Sequence, residues 1–421
     1  MQVEYKRKSQ IFSVGTENLL GTFEPNPFPL AGNPFEAITQ ACKQPSRGVQ
    51  LDAFLEGAKT VLVIVNDATR PTPTSEMLQA LLPVLAKHGI GSQSGLTILI
   101  ATGAHRGAKD QEFSQILGSL EPSLRNCCIS HDARDKESLV YLGTTRNQTP
   151  IILNKLLFNS DRIIVTGSVE PHYFAGFTGG RKAFLPGIAG YDTIVANHKL
   201  ALSPKAHSLA LEGNPVHEDM MDALNLIKVP IFSLMAILDS EQKIAAMTAG
   251  NIQEAFFEAV KIAKQIFCVS IPEQADVVVS VAKFPMDINL YQSQKAIDNG
   301  ALAVKDGGTL ILVSSCREGL GDETFAKLLS QSSSPDDALL KISAEYKLGY
   351  HKAAKMAAVA KRIKLEALTE LEDSHLSDLF ITPVHDLQKA IDQALDEAKK
   401  RGISEPKVLV LPDGCVTVPE I

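Results

Sequence analysis

Lys59-Thr-Val-Leu-Val-Ile-Val65, then Ser75 to Lys87, then Leu96-Thr-Ile-Leu-Ile-Ala101, read as strand, helix, strand. The outer two are short apolar runs, too short for helices and rich in β-branched residues, as strands buried on both faces are. Between them Leu78, Leu81, Leu82 and Leu85 fall on one helical face. Working outward, the pattern predicts a helix over 109–117, strands over 126–130 and 162–166, and helices over 191–201 and 216–227. A strongly amphipathic helix follows over 251–266. Alternating strands and helices require a largely parallel sheet covered on both faces.

A second series begins with Ala275-Asp-Val-Val-Val-Ser-Val281, continues through a helix near 290–304, and reaches Gly308-Thr-Leu-Ile-Leu-Val-Ser314. A helix over 387–400 leads to Lys407-Val-Leu-Val-Leu411. The expected fold class is therefore α/β, with two α/β domains, mainly parallel sheets and the active site in the cleft between them. The boundary is placed near Pro272. The chain would divide into an N-terminal domain over 1–270 and a C-terminal domain over 271–395, and the late apolar run fits a segment, 396–421, that rejoins the first.

Hydrophobic residues make up 45% of the 421 residues and charged ones 21%, enough apolar material for a large core. The net charge of −7, with no basic cluster, argues against nucleic acid as a partner. No apolar run is long enough to span a bilayer, and the N-terminus shows no signal peptide. The six cysteines form no C-x-x-C pair and read as reduced, mostly buried thiols of a cytoplasmic protein.

Ligands of open α/β sheets bind beyond the carboxyl ends of the strands. Three polar turns lie there. Asn66-Asp67-Ala-Thr-Arg70 follows the first strand, and Thr102-Gly-Ala-His105-Arg106 follows the second. Ser168-Val-Glu-Pro-His172-Tyr-Phe-Ala-Gly-Phe-Thr-Gly-Gly-Arg-Lys182-Ala-Phe-Leu-Pro-Gly187 follows the strand ending near Thr166. This last stretch is too rich in Gly and Pro for a helix interior or central strand. Its aromatic and aliphatic residues fit poorly with disorder, so a functional loop is expected. Together the three turns point to one shared pocket.

Common nucleotide fingerprints are missing. No G-x-G-x-x-G opens a helix, and Lys182 of Gly179-Gly-Arg-Lys182 is followed by Ala where a P-loop needs a hydroxyl. His105, His172 and His198 allow a metal but show no H-E-x-x-H spacing. Tyr291, Gln292 and Lys295 stand at the start of a predicted helix, where an amide and an ammonium beside the helix N-terminus suit a carboxylate.

With these residues in view, the chain resembles the lactate racemase family that uses a nickel-pincer nucleotide. The likeness rests on Asp67-Ala-Thr-Arg70-Pro, Ala101-Thr-Gly-Ala-His105-Arg, Ser168-Val-Glu-Pro-His172, Gly179-Gly-Arg-Lys182, Asn197-His198 and Tyr291-Gln292-x-x-Lys295. The resemblance implies Lys182 as the covalent anchor of the cofactor, with Asp67 and Thr69 as further cofactor contacts. It implies His198 as the nickel ligand and His105 and His172 as the acid/base pair. It places the substrate carboxylate on Arg70, Tyr291, Gln292 and Lys295. It also implies separate maturation enzymes that load the cofactor.

The implied reaction is racemisation or epimerisation of a lactate-like 2-hydroxy carboxylic acid by reversible hydride transfer. One histidine takes the hydroxyl proton while the hydride leaves, and two histidines serve the two enantiomers. Imidazole is a suitable donor to nickel. The family's lactate racemase has a tryptophan beside the substrate methyl group, whereas this chain has none. Malate, aromatic 2-hydroxy acids and sugar acids therefore stand open beside lactate. Two other readings are a zinc-dependent hydrolase using the same three histidines and a non-catalytic nucleotide- or anion-binding protein.

Overall fold

The computed structural model describes residues 1–421 except the side chain of Glu323. Two compact units emerge: Pro27–Ile266, and Met1–Asn26 together with Phe267–Ile421.

Pro27–Ile266 is built on a six-stranded sheet. Its order is Ile244–Asn251, Ile231–Leu238, Arg162–Ser168, Val61–Asn66, Leu96–Ala101, Cys128–Ser130. All neighbours are parallel except the first two, which form an antiparallel hairpin at the edge. The central strands are buried on both faces, as their continuous apolar runs require. Val61, Val63 and Val65 pack with Met77, Leu78, Leu81 and Leu85 of the Thr74–Lys87 helix. Leu62 and Ile64 are equally buried on the opposite face. Burying each such side chain contributes about 2 kcal/mol, so this layer is the main anchor of the turns above it. The edge hairpin and a second one, Leu139–Thr144 with Pro150–Asn154, fall where the periodicity had predicted no element.

The other unit carries a fully parallel sheet in the order Thr382–Pro383, Lys364–Leu368, Val304–Val313, Ala275–Val281, Val408–Leu411, Leu19–Thr22. This corrects the expected division of the chain. Val408–Leu411 does not return to the first sheet. It pairs with Ala275–Val281 on one side and with Leu19–Thr22 on the other. The N-terminal 26 residues belong here as well, so Pro27–Ile266 is inserted between two parts of one unit. The physical reason is nonlocal. An apolar strand with both faces buried fits either parallel sheet by its sequence, and its edge partners decide. Asn18 helps fix that choice by donating to the Pro406 carbonyl at 2.8 Å.

No helix is long and apolar enough to cross a membrane. All six cysteines are free thiols, five of them buried.

Candidate functional site

Val61–Asn66 ends in an Asx-type turn. Asp67 Oδ1 accepts from the Thr69 hydroxyl at 2.6 Å and from the Thr69 amide at 3.2 Å. Its Oδ2 faces His105 Nδ1 at 2.9 Å. Burial pushes the Asp67 carboxyl up, but the hydrogen bonds from His105 and Thr69, with the Arg70 charge beside it, outweigh burial and hold it below its ordinary value. A carboxylate on Nδ1 fixes the proton there and leaves Nε2 as the acceptor, the orientation a general base needs. The His105 side chain is 61% exposed. Thr69, expected to touch a cofactor, spends its hydroxyl on Asp67, while Arg70 lies half-buried in the same turn.

The three turns are stitched together. Thr72 donates to Asn66 Oδ1 at 3.0 Å and meets the Ser168 hydroxyl at 3.1 Å. Gly103, at φ +57°, donates its amide to the Gly187 carbonyl at 2.9 Å, joining the second turn to the glycine-rich loop. A side chain at Gly103 would need the left-handed backbone that costs L residues about 1–2 kcal/mol.

In the glycine-rich loop Pro171–His172 pairs with Gly176–Phe177, and Gly180–Ala183 makes a 3-10 turn. His172 Nδ1 faces the Ala175 amide at 3.3 Å. Its Nε2 lies 3.0 Å from Lys182 Nζ. Phe174 is the hub: His172 meets its ring edge-on at 4.6 Å, His198 at 5.1 Å, and Lys182 Nζ lies 5.4 Å from its centroid. His198 rides on the Tyr191–Lys199 helix. Burial, with the Lys182 charge adding, pulls its imidazole down to about 3, so it is a neutral donor at physiological pH. The preceding Asn197 donates to the fully buried Asp219 at 2.9 Å, and Asp219 also accepts from Thr145. That buried network sets the rotation of the helix that presents His198.

The sequence pattern gave no role to Arg181. Its side chain is 1% exposed and its guanidinium is turned inward, 4.3 Å from the Phe256 ring centroid. Burial pulls it down to about 9, which still leaves it charged at neutral pH. The one signal for it was an arginine set in a loop otherwise glycine-rich and apolar.

Tyr291, Gln292 and Lys295 lie in the other unit and form the start of the Leu290–Gly300 helix. Asn289 caps that helix, its Oδ1 accepting from the Gln292 amide at 2.9 Å. Lys352, to which the sequence pattern gave no role of its own, is buried on the Tyr350–Arg362 helix. Lys352 Nζ donates to the Tyr291 carbonyl at 2.5 Å and lies 3.8 Å from its ring centroid. Burial lowers Lys352 and raises Asp298, two charged groups close enough to compensate each other. His351 bonds Tyr346 through Nδ1 at 3.0 Å, and Gly349 stands at the N-cap of its helix.

Among the described residues no three His, Cys, Asp or Glu side chains gather to hold a metal, so His105, His172 and His198 do not make the ligand set a zinc hydrolase needs. A metal that brings its other donors with it fits better. One neutral imidazole, His198, and an amine, Lys182, share the surroundings of Phe174.

Two family profiles cover most of the chain: the lactate racemase N-terminal domain over residues 5–209 and the lactate racemase C-terminal domain over residues 270–418. A lactate racemase of Thermoanaerobacterium thermosaccharolyticum is 31% identical over 424 residues, covering 98% of this chain and 97% of that protein. A lactate racemase of Lactiplantibacillus plantarum is 31% identical over 385 residues, covering 90% and 89%. The structure of the lactate racemase apoprotein from T. thermosaccharolyticum superposes with a TM-score of 0.91 at 30% identity, covering 100% of this chain and 99% of that one. A Thermotoga maritima protein, at TM-score 0.68 and 19% identity over 92% and 98% of the two chains, shares the fold.

Proposed function

Because this chain belongs to the lactate racemase family, isomerases of the racemase type, we propose that it racemises or epimerises a lactate-like 2-hydroxy carboxylic acid with a nickel-pincer nucleotide. The observation that carries the reading is the grouping around Phe174: Lys182 Nζ 3.0 Å from His172 Nε2, with the neutral His198 ring on the edge of the same phenyl. That set fits the group. Lys182 would anchor it through an amide-type bond, His198 would donate to its nickel, and Asp67 and Thr69 would flank it. When bound, the cofactor supplies a reversible acceptor of hydride.

The chain's own residues do the rest. The Arg70 guanidinium is suited to the substrate carboxylate, and so are the Gln292 amide and Lys295 ammonium, which share the start of one helix with Tyr291. One histidine would take the hydroxyl proton of one enantiomer, and the other would give a proton to the same oxygen in the opposite enantiomer's pose. His105 is equipped for this by Asp67, which fixes its tautomer and stabilises the imidazolium. His172 serves the other enantiomer, held in its loop by the Ala175 amide at its Nδ1. Separate maturation enzymes load the cofactor, in a cytoplasmic setting that suits six free thiols.

The test is intact mass after co-expression with such maturation enzymes, followed by racemisation of D- and L-lactate read by polarimetry. The expected result is a nucleotide-sized adduct on Lys182, absent in Lys182→Ala, and racemisation that tracks the adduct. Turnover with zinc alone and no adduct would return the protein to the hydrolase reading.

A further inference from the structure

Loop 175–179 is shaped by a cation of its own. Arg181 Nη1 donates to the carbonyls of Phe177 at 2.9 Å, Gly179 at 3.3 Å and Thr178 at 3.4 Å. Its Nη2 donates to the Ala175 carbonyl at 2.7 Å. Among the described residues no carboxylate pairs with it in an ion pair. A buried charge without a counter-ion is costly, and a ring of carbonyl dipoles is what compensates it here. Two of these carbonyls also take a backbone amide, Ala175 from Phe177 at 2.9 Å and Gly179 from Lys182 at 3.1 Å, so Arg181 fills a second acceptor position on each of them.

Neighbouring contacts leave the loop little freedom to find another shape. A Cβ on Gly179 would lie 2.5 Å from Val169 Cγ2, and one on Gly180 would meet Phe256 at 3.2 Å. Both glycines have positive φ, +82° and +52°. Phe256 thus packs against the backbone of Gly180 and lies beside the Arg181 guanidinium. The next residue after this clamp is Lys182, whose amide donates to the Gly179 carbonyl at 3.1 Å.

We infer that Arg181 is the positioning residue of the covalent anchor, an internal cation that gathers four loop carbonyls as a bound metal ion would and so aims Lys182 at His172. The inference rests on reading Lys182 as the attachment point. Arg181 is 1% exposed and spends its guanidinium on loop carbonyls, so it acts through the backbone. A lysine would keep the charge but reach fewer carbonyls, since an ammonium lacks the planar fork. A methionine would take the guanidinium away from all four carbonyls, and Ala175 and Gly179 would keep only their backbone amides.

The test compares Arg181→Met, Arg181→Lys and a control, Phe232→Leu, which loosens the same unit's core away from the loop. Hydrogen exchange on the apoprotein reads the amides of Lys182, Phe184 and Leu185, and intact mass reads adduct yield after co-expression with maturation enzymes. In Arg181→Met these amides should exchange faster by about tenfold or more while amides of the central strands do not. Adduct yield should fall at least as far, with Arg181→Lys intermediate and guanidinium ions restoring part of the loss in Arg181→Met. Phe232→Leu should lower Tm yet keep wild-type adduct yield. Wild-type exchange and loading in Arg181→Met would overturn the inference. So would an equal loss of adduct in Phe232→Leu, which would make loading a matter of general stability. If Arg181→Met does not fold, the same readouts on Arg181→Lys decide. If even the wild type takes up no adduct, the proposed function fails, while exchange on the apoprotein still judges Arg181.

Discussion

His217 is the sharpest probe of the buried chemistry beside the loop. It is 5% exposed, stacks on Phe256 at 6.1 Å, and burial with the Arg181 charge pulls it down to about 3. In the unfolded chain the same group titrates near its ordinary 6.5. Between these values the unfolded state binds a proton that the folded state refuses, so stability rises with pH there. The contribution is fully present above about pH 6.5 and lost progressively as pH falls towards 3. Going from about pH 7 to about pH 5 costs roughly 1.36 kcal/mol times 1.5 units, or about 2 kcal/mol. His198, pulled down to about 3 in the same way, adds a similar amount in the apoprotein. His217→Gln removes one of the two titrations. Denaturant unfolding of apoprotein at a series of pH values should therefore show the variant losing about 2 kcal/mol less than wild type between about pH 7 and pH 5. In thermal unfolding this is a difference of about 4–8 °C in how far Tm falls. Parallel curves for the two proteins would mean that His217 protonates normally in the fold, and the buried environment assigned to it would be wrong.

Three further outcomes follow from the site. Alanine at His105 or at His172 should each slow racemisation by about 10²–10⁴-fold, and single-turnover reactions with D and L substrate should be impaired differently by the two; equal, small losses would remove both from acid/base duty. Arg70→Ala and Lys295→Ala should raise KM by about tenfold or more, each removing a charged partner of the carboxylate, with Arg70→Lys recovering only part; a fall in kcat at unchanged KM would contradict the assignment. His198→Ala should lose nickel on dialysis about tenfold faster or more while the covalent adduct on Lys182 persists, as metal analysis beside intact mass would show; nickel retained at the wild-type level would exclude His198 as a ligand.

Local chemistry made much of this protein legible before its structure. The runs Val61–Val65, Leu96–Ala101 and Ala275–Val281 are strands because short, β-branched, continuously apolar segments have no other stable burial. The turns bearing Asp67, His105 and His172 lie beyond strand ends because Gly, Pro and polar residues cannot continue the strands. Those are statements about a residue and its near neighbours, and the chain carries them openly. What the tertiary structure decided is nonlocal. Val408–Leu411 is equally at home in either parallel sheet until Leu19–Thr22, nearly four hundred residues away, pairs along its edge. Arg181 looks like a surface cation until Phe256, from a distant helix, packs against its guanidinium, and Lys352 looks like an exposed helix residue until Tyr291 lies under it. In each case the sequence supplies the charge or the apolar surface, but the compensating partner comes from elsewhere in the fold, and no periodicity of the chain encodes that meeting.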